Sequence, residues 1–399
     1  MLVLYLSGTL FGQHAGGFRF INEGMRSITL PIEVHNNLIL VDVTINGSFP
    51  FKFILDTGVK TSLLTEPALM GFMSLQDSKP IRVLGLGEGE VIQARLVKDL
   101  YMRIGDVAGK DLRMIILPEG TVSYSGMFGK PVVGIIGYDF FQNFIVEINY
   151  QRKYIKLHDP ARYKPRKRDV AIPLELYNRK PYVNATIMDH RGSEVITKWL
   201  IDTGASTAIS IYHEEIETPD ETLQAFIGRG LSGDMFGKIG RVQRLEIGDY
   251  AFEGVVAGYP DTASIRWVIK SDTSYANLGA EILSRFDVIF DYTHYKLYLR
   301  KSSRFSKPFL YNTSGIEAIA EPPKFNKYEI VYVRPSSPAE TADIRVGDQI
   351  ISINGVDVST LDIGDLHSIL NREPGKRVRL RIRRNGERIR KIFYIEGEI

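Results

Sequence analysis

Leu30-Pro-Ile-Glu-Val-His-Asn-Asn-Leu-Ile-Leu-Val-Asp-Val-Thr-Ile45 and Ile172-Pro-Leu-Glu-Leu-Tyr-Asn-Arg-Lys-Pro-Tyr-Val-Asn-Ala-Thr-Ile187 are two copies of one pattern, identical at Pro, Glu, Asn, Val, Thr and Ile. Each runs on to an Asp-Thr-Gly: Ile54-Leu55-Asp56-Thr57-Gly58 in the first and Leu200-Ile201-Asp202-Thr203-Gly204 in the second. The order is kept downstream. Gly85-Leu86-Gly87 parallels Gly228-Arg229-Gly230, Ile104-Gly105-Asp106 parallels Ile247-Gly248-Asp249, and Ile136-Gly137 parallels Leu278-Gly279. Ile148-Asn149-Tyr150 and Phe290-Asp291-Tyr292 close the two copies. A repeat of about 140 residues constrains the architecture before any motif is weighed. Both copies consist of short runs rich in β-branched and aromatic residues, divided by Gly, Asn and Asp turns, with little helical periodicity. They are expected to form two β lobes, residues 21–160 and 170–303.

The bulk properties are those of a folded chain of two or three domains, the usual outcome at 399 residues. Lys and Arg (50) nearly balance Asp and Glu (47), so the formal charge of +3 gives no global reason to expect nucleic acid or an anionic membrane as partner. With no cysteine, disulfides and thiol catalysis are excluded, and a metal would have to be held by His, Asp and Glu. No apolar run is long enough to span a bilayer. Residues 161–169, with Lys164, Arg166, Lys167 and Arg168, read as an exposed linker between the lobes. Residues 1–20 stand apart. Met1 to Gly12 is apolar and ends in small residues, as the back half of an export signal does, but without the basic leader; the other reading is a first strand over Leu2 to Leu6. The export reading places the protein in the periplasm, the envelope or outside the cell.

The apolar pair before each Asp indicates a buried strand that delivers a carboxylate to a turn. One Asp-Thr-Gly would arise by chance in about one chain in ten of this length, but two at equivalent points of a repeat are specific. Two carboxylates held face to face cannot both ionise, so one keeps a proton while the other is a base. Between them they can activate a water. The anionic Asp takes a proton from the water as it attacks a peptide carbonyl, and the neutral Asp protonates the carbonyl oxygen. Gly58 and Gly204 let backbone amides approach the carboxylates, and Thr57 and Thr203 supply hydroxyls that can bond across the lobe interface. No metal, cofactor or covalent intermediate is needed.

The paired triplets Asp56-Thr57-Gly58 and Asp202-Thr203-Gly204, with Ile135-Ile136-Gly137 and Asn277-Leu278-Gly279 farther on, resemble the pepsin and retropepsin superfamily over about residues 20 to 303. Size and connectivity resemble bacterial aspartic peptidases of the retropepsin type, duplicated in one chain, more than pepsin itself. The resemblance implies a mainly β fold of two tandem acid-protease β-barrel lobes related by pseudo-twofold symmetry, each of a six-stranded type. It implies a cleft between them for a polypeptide substrate, closed by β-hairpin flaps, and a crossing segment under each catalytic loop where Gly137 and Gly279 leave room. Gly85, Leu86 and Gly87, and Gly228, Arg229 and Gly230, occupy the flap positions and are the candidate substrate-binding residues. Because one chain carries both triplets, a monomer is expected to suffice.

The chain departs from the family after each triplet. Pepsin-like enzymes place Ser or Thr there, where the hydroxyl bonds the catalytic carboxylate; here the residues are Val59 and Ala205. Without that donor the pair is expected to titrate higher, favouring mildly acidic to neutral pH. Lys60 follows, either pointing away from the cleft or selecting acidic substrates.

From about residue 310 to 399 the pattern changes. Pro335-Ser-Ser-Pro-Ala-Glu340, Ile344-Arg-Val-Gly-Asp-Gln-Ile350 and Ile353-Asn-Gly355, followed by a helical stretch near Leu361 to Leu370, resemble a bacterial PDZ domain. Such a domain adds an extended peptide to a sheet edge, and Ser314-Gly315-Ile316 is the candidate loop for a peptide carboxylate. Glu317 follows it, which disfavours a free carboxylate, and Asp343 stands where the family has glycine. The last strands, Lys376 to Lys391, alternate basic and apolar residues and read as a packed face backed by a solvated one.

None of the seven histidines falls in a His-Glu-x-x-His arrangement, and His213-Glu214-Glu215 lacks the second His. There is no Gly-x-Ser-x-Gly elbow. The reading is an aspartic endopeptidase with a PDZ module for a peptide or protein ligand. Its rival is a catalytically weak or inactive peptide-binding scaffold on the same fold.

Overall fold

The structure, a computed structural model, describes residues 16–73, 78–213, 215–271 and 276–397. In the first copy of the repeat, Leu38–Ile45 turns through Asn46 and Gly47, both at positive φ, into Phe51–Leu55. Phe53, Ile54 and Leu55 are all buried because this strand runs through the middle of its sheet, parallel to Val132–Ile136. A strand with both faces covered is apolar throughout rather than alternating.

Six strands close on themselves. Leu38–Ile45 pairs with Phe51–Leu55, then come Val132–Ile136, Ser62–Leu64, Val107–Ile116 and Ile92–Ile104, which returns to Leu38–Ile45. The second lobe repeats the ring in the same order: Lys180–Met188, Glu194–Ile201, Ala276–Leu278, Ile209–Ile211, Tyr250–Pro260 and Gly233–Ile247, again back to the first. Closure leaves no open edge within the ring.

The outer strands of each lobe leave its barrel and build one shared six-stranded sheet beneath the site. Its order is Val170–Pro173, Lys296–Lys301, Phe286–Asp291, Ile145–Asn149, Tyr154–His158 and Ser27–Pro31. The seam is antiparallel, with Val146 opposite Phe290 and Ile148 opposite Val288. Three strands on each side mirror each other about it, which is the pseudo-twofold axis expressed as a sheet.

Two segments sit differently from the sequence reading. Residues set apart with the N-terminal segment enter the fold: Phe18–Phe20 pairs with the strand Val107–Ile116, and Phe18 is fully buried against Phe140. The leader Met1 to Gly12 lies outside the described residues. The linker is exposed through Lys164, Arg166, Lys167 and Arg168, yet its end is tied down, because the buried Asp169 carboxylate receives Arg300 Nη1 at 2.7 Å.

The C-terminal domain is a six-stranded sheet with its own core of Ile316, Ile330, Ile350, Ile353, Leu366, Leu380 and Ile382 among others. Asp343 does fill the turn expected to need glycine. It sits at φ 54, and Arg345, Arg384 and Lys391 surround its carboxylate. The segment joining this domain to the second lobe is held by buried Arg285, which donates to the carbonyls of Phe305, Lys307 and Pro308 and lies over the Phe309 ring.

Candidate active site

The two triplets meet at the lobe interface. Thr57 and Thr203 have no exposure and bond reciprocally: Thr203 N donates to Thr57 Oγ1 (3.0 Å) and Thr57 N to Thr203 Oγ1 (3.1 Å). Each hydroxyl in turn donates across the interface, Thr57 to Ile201 O and Thr203 to Leu55 O. Four hydrogen bonds with no access to water lock the two Asp-Thr-Gly loops in one geometry.

The crossing segments hold the loops from below. Asp56 N donates to Ile136 O and Asp202 N to Leu278 O, both at 2.9 Å. Gly137 and Gly279 pass directly under the turns, where Tyr138 N reaches Val59 O and Ala280 N reaches Ala205 O. A Cβ at Gly137 would lie 2.0 Å from Val59 O, and one at Gly279 2.2 Å from Thr207 O. Glycine is required there by space.

The carboxylates converge above this frame. Gly58 N donates to Asp56 Oδ1 (2.6 Å) and Gly204 N to Asp202 Oδ1 (2.8 Å). A Cβ at Gly58 would lie 3.1 Å from Asp56 Oδ1 and 3.2 Å from Asp202 Oδ1, so both acids border one point in space. Burial, together with the charge and hydrogen bond of Asp202, pushes the Asp56 carboxyl well above its ordinary range. The same burial raises the nearby Tyr124, Tyr150 and Tyr292 phenols, which stay neutral.

Flap residues from both lobes close over the pair. The second-lobe hairpin, Leu223–Gly230 with Gly233–Ile247, carries Leu231 and Ser232 at its tip. The first-lobe loop that follows Lys79–Val83 comes to meet it: Ser232 N donates to Leu86 O (2.9 Å) and Gly89 N to Ser232 O (2.7 Å). Gly85, Gly87 and Gly230 lie at the contact, each too close to the opposite flap for a side chain, and Gly230 in particular faces Leu86 O. Gly228 approaches Met235, and Arg229 pairs with Asp234 at 2.6 Å. A cavity of about 310 Å³ remains beneath, lined by both carboxylates, Leu86, Tyr124, Met127, Leu200 and Met235 among others.

Two residues the sequence reading passed over belong to this site. Lys60 is exposed and outside the cavity; the lysine that lines it is Lys180, whose charge bears on Asp56. The donor missing at Val59 and Ala205 is supplied on the second lobe by Asn277, whose Nδ2 lies 2.7 Å from Asp202 Oδ2. That corrects the expectation of an unassisted anion on this side. Asn277 lies 75 residues from Asp202, and the sequence marks it only as the first residue of Asn277-Leu278-Gly279, not as a partner of Asp202.

The PDZ loop is also corrected. Gly315 N is taken by Asn312 O and Oδ1, and Ile316 N by Ser314 Oγ, so these amides are engaged within the loop and offer no free cradle to a carboxylate. Burial pushes Glu317 up to about 7, with Asn312 Nδ2 on its carboxylate. The edge strand Ile316–Ala320 faces the helix Ile363–Leu370, where His367 Nε2 contacts Ala318 O at 3.1 Å. A first-lobe turn, Ser125–Phe128, rests on the end of this pair: a Cβ at Gly126 would be 3.1 Å from Ala320 O, and Gly129 meets Ile363. Met127 of this turn and Tyr124 just before it line the cavity beneath the flaps. On the other side Tyr332 packs on Phe226 and Phe236 of the flap hairpin, and Tyr311 Oη donates to Phe226 O. The domain therefore touches both walls of the cleft.

Fold and site together define an aspartic-protease architecture with an appended PDZ module. Residues 41–140 match the aspartyl protease family model and residues 329–384 that of the PDZ domain, so the chain contains a domain of each kind. Among solved structures it is similar to basic 7S globulin from soybean, at 10% identity and a TM-score of 0.40, over 71% of this chain and 98% of that one. No curated protein matches it.

Proposed function

We propose that the chain is an aspartic endopeptidase that hydrolyses peptide bonds with a water activated between Asp56 and Asp202. The observation that carries this is the convergence of two Asp-Thr-Gly carboxylates on one point beneath the paired flap tips. Asp202 is the base: it accepts two donors, Gly204 N and Asn277 Nδ2, and removes a proton from the water as it attacks. Asp56, which has one amide donor and is raised by burial, holds the proton and passes it to the carbonyl oxygen. As the C–N bond breaks, Asp202 gives its proton to the amine and Asp56 takes one back from a hydroxyl of the gem-diol, leaving the carboxylic acid product and the pair as it began. The apolar lining of the cavity, with Leu86, Met127 and Met235, excludes bulk water from these transfers.

Cleavage of an unfolded-protein mixture by the purified chain, read as new peptide termini by mass spectrometry, tests this. Activity is expected to peak at mildly acidic to neutral pH, in keeping with an acid raised by burial. No cleavage at any pH would favour the second reading, a peptide-binding scaffold, for which the mutual hydrogen bonding of the flap tips is the supporting observation. Catalysis by a single chain belongs to the same proposal, and a monomer that turns over in size-exclusion fractions supports it. So does export, which the apolar segment Met1 to Gly12 suggests; recovery of the native protein only from cytoplasm would remove that part. Peptide capture by the PDZ module is also part of the reading and requires the Ser125–Phe128 turn to yield.

A further inference from the structure

We infer that Asn277 is a positioning residue that fixes Asp202 as the ionised member of the acid pair, replacing the hydroxyl that neither Val59 nor Ala205 provides. The inference rests on the peptidase reading and deepens it. Asn277 lies on Ala276–Leu278, the strand that runs parallel to Glu194–Ile201, with Leu200 and Ser210 as its partners on either side. The same position in the first lobe is Ile135, opposite Ile54 and Leu63. Both residues line the cavity, but only the second lobe has a donor there.

The side chain makes one polar contact of consequence. Its Nδ2 is 2.7 Å from Asp202 Oδ2, while Oδ1 is buried with no hydrogen-bond partner among the described residues. An orphaned buried carbonyl costs stability that a leucine would not, so the position is not explained by packing. With Nδ2 inward, as here, the contact favours an ionised Asp202, whereas an inward Oδ1 would favour a protonated one; the direction of the titration shift distinguishes the two. The Oδ1 atom of Asp202 is already held by Gly204 N, so the carboxylate is gripped at both oxygens. Asp56 has Gly58 N on one oxygen, and its further stabilisation comes from sharing a proton with Asp202.

The surroundings leave the pair as the titrating unit. Asp202 faces Asp56 across the interface and the neutral Tyr150 phenol. Tyr124 and Tyr292 stand near Asp56, Lys180 acts on Asp56 from the start of the second lobe, and Arg229 on the flap bears on Tyr124. Glu281, on the helix after Asn277, is paired with Arg285.

The test is Asn277→Leu, with Ala205→Ser added as rescue. The acidic limb of the kcat/KM profile should move up by about one pH unit, because loss of a donor to the anion raises the lower apparent pKa of the pair. KM should change little. Adding Ala205→Ser, which returns a hydroxyl beside Asp202, should bring the limb back. Titration of ¹³C-labelled aspartate carboxyls in the same variants should show the same upward shift without recourse to activity. A limb and carboxyl titration that stay in place, or move down, overturn the inference. If wild type and Asp56→Asn are equally inactive, the peptidase reading fails instead, and the carboxyl titration still decides what Asn277 does.

Discussion

Asp56 keeps its proton in the folded chain far more tightly than an unfolded aspartate, because burial and the neighbouring Asp202 both disfavour its charge. Its contribution to stability is therefore complete below about pH 4 and is lost as pH rises through its folded value. Asp56→Asn should abolish cleavage, by about 10³-fold or more, while raising the melting temperature by about 2–4 °C at neutral pH. Below about pH 4 that gain should vanish; a melting temperature that falls at pH 7 would contradict the assignment. The identities of Asp56, Asp202 and the two threonines were legible in the sequence because each triplet is local and occurs twice. Asn277 and Lys180 were not. Their roles come from strands that meet Asp202 and Asp56 only in the folded barrel, and in the linear chain Asn277 is one polar residue before Leu278-Gly279.

Elements carry the next constraint. Gly137 and Gly279 were readable as crossing residues, since they stand at the same place in the repeat, after Ile135-Ile136 and Asn277-Leu278, and the space beneath the loops is as tight as that reading requires. Gly279→Ala should cost about 1–3 kcal/mol, because Thr207 O cannot retreat from the added Cβ without moving the catalytic turn. Urea unfolding measures this, and an unchanged midpoint would mean that the loop yields. The contact between the PDZ domain and the flap was not readable. It joins Tyr332 to Phe226 and Phe236 across separate domains, and no periodicity within either one encodes it. Tyr332→Ala should loosen the hairpin, seen as faster amide exchange over Leu223–Gly230 and a lower kcat/KM, whereas Tyr394→Ala, at an exposed position, should change neither. Equal exchange in both variants would show that the hairpin is stable without this support.

Over the whole molecule, the lobes are joined by the six-stranded sheet and by a charge cluster under it. Glu147 from the first lobe is almost fully buried and meets His158, Arg166 and Arg300; Arg300 of the second lobe also reaches Asp169 and Asp287. Burial alone would raise the Glu147 carboxyl, but these partners hold it down at about 2, so its contribution is present above about pH 4 and is lost as pH falls toward 2. Glu147→Gln should destabilise the chain by about 3 kcal/mol at pH 7. Glu281 and Glu317 behave oppositely. Burial raises both to about 7, so their contribution is present below about pH 4 and is lost as pH rises through 7. The melting temperature is therefore expected to be highest at about pH 4–6, and Glu317→Gln should flatten the decline on the alkaline side. The repeat made the two-lobed plan legible at this scale, but the third domain lies outside the repeat, and its contacts with the flap hairpin and the Ser125–Phe128 turn join residues far apart in the chain. The most direct test of the account remains cleavage of one unfolded-protein mixture by the wild-type chain, Asp56→Asn and Asp202→Asn at equal concentration. The account predicts cleavage by the first and none by the others; equal cleavage by all three would contradict it.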